Sequence, residues 1–128
     1  MTNVVLDASV ILAVIHRERG FEKLTADLLA QAIVSTVNLC EVHGKLVSSG
    51  WSSEDAWEDA HGLAGEIQPF TAEQAKTAGS LIADARVFGL SLGDRACLAL
   101  AIALRAPVYT ADRSWKNLKL GLRIHVIR

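Results

Sequence analysis

The sequence has few of the residues that staple or interrupt a small fold. Of its 128 residues, only two are cysteine, two are proline and nine are glycine. Cys40 and Cys97 lie in apolar stretches without metal-ligand spacing, so we expect both to be small core residues in a reducing compartment. A chain of this length buries enough surface to fold without disulfides or structural zinc. We therefore predict one domain over residues 1–128.

Long hydrophobic runs are also missing. Although 51% of the residues are hydrophobic, the longest uninterrupted apolar run is the nine residues 96–104, whereas a membrane-spanning helix needs about 18. At the N-terminus, Asp7 and Ser9 interrupt the apolar character that a signal peptide requires. We expect a cytoplasmic protein with no membrane partner.

The net charge is small, but the charges are unevenly distributed. The formal charge is −1, yet residues 1–85 carry −7 and residues 86–128 carry +6. The basic part is either a surface for a polyanion or the internal counterpart of the acidic part. Charge alone does not separate these two interpretations.

Short apolar segments alternate with longer segments of helical period. The predicted strands are residues 3–6, 32–36, 66–70, 107–110 and 122–127. The third is assigned to a sheet edge because Pro69 cannot donate a ladder hydrogen bond. The predicted helices are residues 9–16, 21–31, 37–49, about a dozen residues after Ser52 and Ser53, 71–88 and 95–105. This alternation predicts an α/β fold of three layers, with a mostly parallel sheet of about five strands.

Acidic residues follow the predicted strands, at the sheet edge where open parallel sheets bind ligands. Asp7 follows the first strand, and Glu41 lies early in the helix after the second. Asp94 opens the helix of residues 95–105, and Asp112 follows the fourth strand. Four converging carboxylates repel one another unless a cation is present. Oxygen ligands suit Mg²⁺ or Mn²⁺, which activates water and polarises phosphate, so we hypothesise phosphodiester hydrolysis.

Each acid also has a structural interpretation. Asp7 could be a turn residue, and Glu41 could form an ion pair with Lys45. Asp94 could form a capping box with Ser91, and Asp112 could cap residues 113–118. Four unrelated acids would not be expected to share one edge of a sheet whose strands are almost free of charge.

Four segments of the sequence resemble the PIN domain, and within it the VapC ribonuclease toxins of toxin–antitoxin pairs. They are VVLDAS at 4–9, STVNLCEV at 35–42, LSLGDRACLALA at 90–101 and VYTADRSW at 108–115. The segments occur in the order and spacing of the family, and the resemblance covers nearly the whole chain.

The resemblance implies a Mg²⁺- or Mn²⁺-dependent endoribonuclease that cuts RNA and is neutralised by a cognate VapB-like antitoxin. The catalytic residues that it implies are Asp7, Glu41, Asp94 and Asp112. Of these, Asp7 and Asp94 would lie nearest the metal, with Glu41 and Asp112 as further ligands or orienting groups. The residues implied to support these acids are Ser9, Asn38 and Thr110. The family also implies a homodimer.

Other residues and functions stay open at this point. Arg95 and Arg113 each follow a site acid and could contact the scissile phosphate or pair with a carboxylate. Trp51 and Trp57 could mark a partner surface or pack within a helical hairpin. The functional alternatives are a PIN-fold RNA-processing nuclease without an antitoxin, and a catalytically idle binding module. A phosphoacceptor receiver domain is disfavoured because Leu6, not an acid, precedes Asp7.

Overall fold

The computed structural model describes residues 3–128 and is built around a sheet of five parallel strands. The strands are β1 (Val4–Leu6), β2 (Ala32–Ser35), β3 (Glu66–Gln68), β4 (Val108–Thr110) and β5 (Ile124–Val126). Their order across the sheet is β3-β2-β1-β4-β5, and every neighbouring pair is parallel. The predicted α/β class and the edge position of the third strand are both confirmed.

Seven α-helices cover the sheet. They are α1 (Ala8–His16), α2 (Ala26–Ala30), α3 (Thr36–Ser48), α4 (Ser53–Leu63), α5 (Ala72–Ser80), α6 (Ile82–Phe88) and α7 (Leu92–Leu104) within residues 3–128. Helices α1, α3 and α4 share one buried core with Val4 and Leu6, whereas α6 and α7, together with Leu81 at the end of α5, share a second core with Val5. Successive β1 side chains therefore point into opposite layers, which is why this strand is apolar throughout. None of the helices in this part of the chain is both long enough and apolar enough to cross a bilayer.

The direction of winding reverses between β1 and β4. The chain runs from β1 through β2 to β3 on one side, and then returns through α5, α6 and α7 to place β4 on the other side of β1. In open parallel sheets, the carboxyl ends of the strands at such a reversal leave a crevice for ligands. Asp7 follows β1 directly, and Thr110 ends β4.

Two of the predicted helices are wrong as single elements. Residues 71–88 divide at Leu81 into α5 and α6. The Ser80 hydroxyl donates to the Lys76 carbonyl just before the break, a contact that bends helices. Residues 21–31 divide because the Thr25 hydroxyl accepts from the Leu28 amide and starts α2 there, so residues 21–23 form only a 3-10 turn.

The expectation that both cysteines lie in the core is confirmed for Cys97 and wrong for Cys40, which is exposed. Helix α3 turns Leu39 and Val42 toward the core, and the next position after Leu39 is rotated by about 100°. The two tryptophans also differ. Trp51 packs against the core of α1, α3 and α4, whereas Trp57 is 47% exposed.

Candidate active site

The carboxylate of Asp7 lies buried at the carboxyl end of β1, with only 4% of the residue exposed. Its Oδ2 atom accepts hydrogen bonds from the Ser9 hydroxyl at 2.6 Å and the Thr110 hydroxyl at 3.0 Å. Ser9 Oγ in turn accepts from the Ala111 amide at 3.0 Å, which ties α1 to the end of β4. The structure thus places both predicted hydroxyl residues directly on the Asp7 carboxylate.

Two further acids lie close enough to affect Asp7. Burial, and to a smaller extent the Asp94 and Glu41 carboxylates, raises the pKa of Asp7 from 3.8 to about 6, although the hydrogen bonds from Ser9 and Thr110 lower it. A carboxylate with this environment is stabilised by a positive charge placed among the three acids.

The buried thiol of Cys97 lies near the same three acids. Burial raises its pKa well above the usual range, and the charges of Asp7, Asp94 and Glu41 act in the same direction. Cys97 therefore stays a neutral thiol beneath the acidic cluster, which we define as Asp7, Glu41 and Asp94. It is inert as a nucleophile in this state.

Glu41 is held in place by a contact between α3 and α7. The fully buried Asn38 donates from Nδ2 to Glu41 Oε1 at 2.9 Å and to the Gly93 carbonyl at 3.0 Å. A Cβ atom built on Gly93 would collide with the Glu41 carboxylate. Glu41 therefore bonds to Asn38, and not to Lys45 as the structural alternative suggested.

Sequence reasoning missed Gly93. Gly93 lies before the predicted helix of residues 95–105, whereas in the structure it is the second residue of α7. Glycine costs up to about 1 kcal/mol relative to alanine in a helix interior. Its presence there indicates that another group approaches the backbone closely.

Asp94 and Asp112 are both engaged in caps. Asp94 Oδ2 accepts from the Ser91 amide at 2.9 Å, and Ser91 Oγ accepts from the Asp94 amide at 3.1 Å, which is the capping box of α7. Asp112 is exposed, and its Oδ1 accepts from the amide and hydroxyl of Ser114 at 2.9 and 2.7 Å. The structural interpretations of these two acids are thus realised. Asp94 nevertheless lies near Asp7, whereas Asp112 stays at the exposed rim.

The two predicted substrate-binding arginines point to main-chain carbonyls. Arg95 Nη1 donates to the Ala78 carbonyl on α5 at 3.2 Å. Arg113 Nε donates to the Arg128 carbonyl at 3.2 Å, beyond the end of β5. Neither arginine forms an ion pair with the acidic cluster within residues 3–128.

The acidic cluster offers the oxygen ligands that a hard cation prefers, but its side chains do not converge on one point. Over residues 3–128, no three His, Cys, Asp or Glu side chains converge as a ready-made metal site, because Asp94 is turned toward its cap. All the available ligands are oxygens, which Mg²⁺ and Mn²⁺ prefer. In addition, Oδ1 of the buried Asn38 has no hydrogen-bond partner in the described part of the chain. The residues thus fit a hard cation by the chemistry of their oxygens, while Asp94 is bonded to its cap residue Ser91.

The raised pKa of Asp7 predicts how its charge affects stability. The pKa of Asp7 is higher in the folded state than in the unfolded state, so the ionised side chain destabilises the fold above pH 6. Below pH 3.8 this effect vanishes, because Asp7 is protonated in both states. In EDTA, we expect Asp7→Asn to be more stable than the unmodified protein by up to about 3 kcal/mol at pH 7.5, and by about half that at pH 5. Urea unfolding measures both differences.

The matched control is Asp59→Asn, which removes an exposed acid of α4. We expect it to change the free energy of unfolding little at either pH. An Asp7→Asn variant no more stable than the unmodified protein at pH 7.5 would contradict the assigned electrostatics.

Comparison with known proteins agrees with this architecture. The family model of the PIN domain matches residues 4–120. Among solved structures, VapBC2 from Rickettsia felis bound to a promoter DNA fragment aligns with 20% identity over 99% of this chain and 100% of that chain, with a TM-score of 0.75. DNA-bound VapBC from Salmonella typhimurium aligns with 16% identity over 100% of both chains, with a TM-score of 0.75. VapBC-5 from Mycobacterium tuberculosis aligns with 21% identity over 100% of this chain and 99% of that chain, with a TM-score of 0.63.

No curated protein matches the sequence. The structural matches support the fold, and the family model covers most of the sequence; the chain belongs to the PIN domain family.

Proposed function

We propose that the protein is a Mg²⁺- or Mn²⁺-dependent endoribonuclease that acts as the toxin of a toxin–antitoxin pair. The observation that carries this proposal is the buried Asp7 carboxylate, whose pKa is raised chiefly by burial and, to a smaller extent, by the nearby Asp94 and Glu41 carboxylates. Three acids in this arrangement are costly for a fold and useful for phosphodiester hydrolysis, because a bound cation offsets their repulsion.

Each residue of the site has a proposed role. Asp7 and Asp94 hold the cation, with Glu41 and Asp112 as further ligands or as groups that orient water. When bound, the cation polarises the phosphate and makes water a better nucleophile. Glu41, fixed by Asn38, is placed to orient the attacking water and to accept its proton. Hydrolysis in this manner leaves a 5′-phosphate and a 3′-hydroxyl.

Hydroxyl and amide groups hold this arrangement in place. Ser9 and Thr110 fix the Asp7 carboxylate through Oδ2, which leaves Oδ1 to bind a cation. Asn38 contributes an unpartnered Oδ1 atom, within residues 3–128, that can accept a hydrogen bond from water. Such supporting contacts typically change metal affinity or activity by about 10- to 100-fold when removed.

The proposed partners are RNA, a cognate antitoxin and a second copy of the chain. The antitoxin proposal is supported by similarity to VapBC assemblies along the whole chain and by the four sequence segments that resemble VapC toxins. A PIN-fold nuclease without an antitoxin would use the same acids, so the chemistry of the site is tested separately from the partner.

Cleavage of RNA by the purified protein tests the proposed chemistry. We expect a single-stranded RNA to be cut in Mg²⁺ or Mn²⁺ and left intact in EDTA. The substitutions Asp7→Asn and Asp94→Asn should each lower the cleavage rate by more than about 100-fold, because each removes a proposed ligand of the cation. Gel analysis of an end-labelled RNA gives the rate and identifies the new ends.

The control for these variants is again Asp59→Asn, which should cleave at the rate of the unmodified protein. Cleavage that persists in EDTA, or in both site variants, rules out the proposed mechanism. Metal binding without cleavage of any RNA would favour the idle binding module.

Gly93 provides a test of how Glu41 is positioned. In Gly93→Ala, the new methyl group displaces the Glu41 carboxylate, a flexible group that can move without unfolding the protein. We expect cleavage to fall by at least about tenfold, with a circular dichroism spectrum like that of the unmodified protein. Gly44→Ala on α3 is the control, since open space surrounds that position. Full activity of Gly93→Ala would show that Glu41 need not occupy this position.

A further inference from the structure

A groove lies between helices α1 and α3 and includes Ser9, which contacts the acidic cluster. Its volume is about 430 Å³. The residues that matter for the argument are Ser9, Leu12 and His16 on α1, Lys45 and Ser49 at the end of α3, and Arg128. We refer to it as the α1/α3 groove.

One end of the α1/α3 groove contacts the acidic cluster through Ser9. Ser9, at one end, donates its hydroxyl hydrogen to Asp7. Lys45 lies four residues after Glu41 on α3, so the two side chains share a helix face one turn apart. From Ser9 to His16 the helix axis advances about 10 Å. An extended ligand that reaches the acids can therefore continue directly into the groove.

The groove is lined by the basic side chains of Lys45 and Arg128 and by one acid, Glu18. Lys45 is exposed, and Arg128 is half-buried. Arg128 Nη1 lies 3.5 Å from Glu18 and donates to the Arg19 carbonyl at 3.2 Å. The pair with Glu18 is long and solvent-exposed, so it competes weakly with a phosphate for the guanidinium. The Ser9 and Ser49 hydroxyls already donate to Asp7 and to the Lys45 carbonyl, so the groove's donors for phosphate are the charged groups of Lys45 and Arg128.

Other basic residues of the C-terminal part lie at the opposite end of the sheet. Arg105 and Arg123 precede β4 and β5, and they line a separate cavity of about 680 Å³ at the amino ends of these strands. The charge of +6 in residues 86–128 is therefore not a single surface. Arg113 and Arg128 instead lie beyond the carboxyl ends of β4 and β5 and contact each other.

On the basis of the proposed ribonuclease function, we propose that the α1/α3 groove binds the sugar–phosphate backbone of RNA next to the cleaved bond. Lys45 and Arg128 contact a phosphate that is not cleaved, and so hold the substrate in the site. They bind substrate and transition state equally, since neither touches the reacting atoms. The groove recognises the backbone and not the bases, so it contributes affinity without sequence preference.

Steady-state cleavage kinetics at several salt concentrations test this proposal. The double variant Lys45→Gln/Arg128→Gln should raise the KM for a single-stranded RNA by about tenfold and leave kcat within about twofold. The slope of log(kcat/KM) against log[salt] should become shallower by about 1.4, because each lost phosphate contact removes about 0.7 for a single strand. Lys45→Arg, which keeps the charge, should retain the KM of the unmodified protein.

The matched control is Arg105→Gln/Arg123→Gln, which removes the same charge from the opposite end of the sheet. It should leave KM nearly unchanged and the salt slope intact. If the two double variants change KM and slope equally, the effect is one of net charge, and the α1/α3 groove is not the binding site. If the Lys45 and Arg128 variant instead lowers kcat at unchanged KM, the assignment of these residues to binding of the backbone is wrong. Failure of the unmodified protein to cleave RNA would overturn the proposed function and this inference with it.

Discussion

The site depends on one carboxylate, Asp7, that the fold buries at the edge of its sheet with two further carboxylates nearby. Asp7 is buried because it directly follows the central strand β1. The hydroxyls of Ser9 and Thr110 stabilise its charge only in part, since its pKa remains near 6. Glu41 and Asp94 add negative charge to the same region. A fold retains such a cluster at a cost in stability, and a cation bound there would offset that cost.

The rest of the site follows from how the two helical layers meet this edge. The reversal of winding between β1 and β4 brings Asp7 and Thr110 side by side. Asn38 links α3 to α7 by bonding both Glu41 and the Gly93 carbonyl, so the two helices cannot shift independently. The α1/α3 groove, lined by Lys45, Arg128 and Glu18, meets the site at Ser9, whose hydroxyl donates to Asp7. The net charge of −1 is thus the sum of an acidic site and of basic residues elsewhere in the chain.

Much of this arrangement could be predicted from the sequence, because strand order and the carboxyl ends of parallel strands determine which residues meet. Apolar β-branched segments predicted β1 and β2, and the acids that follow these strands predicted the candidate site. Local geometry could be predicted only as alternatives. For Asp94 the sequence offered both a cap and a site role, and in the structure its carboxylate accepts from the Ser91 amide. The break at Leu81 depends on hydroxyl contacts with the preceding turn. Arg105 precedes β4 and Arg128 follows β5, so the two lie at opposite ends of the sheet. A count of charges along the chain does not show this.

Calorimetric titration of the metal-free protein with Mn²⁺, without RNA, tests the central claim most directly. The account predicts saturable binding that tightens as pH rises through 6, because the cation must displace the proton from Asp7. Asp7→Asn should abolish the binding, and Asp59→Asn should leave it unchanged. Binding that is absent in the unmodified protein, or that persists in Asp7→Asn, would contradict the claim that the buried acidic cluster is a cation site.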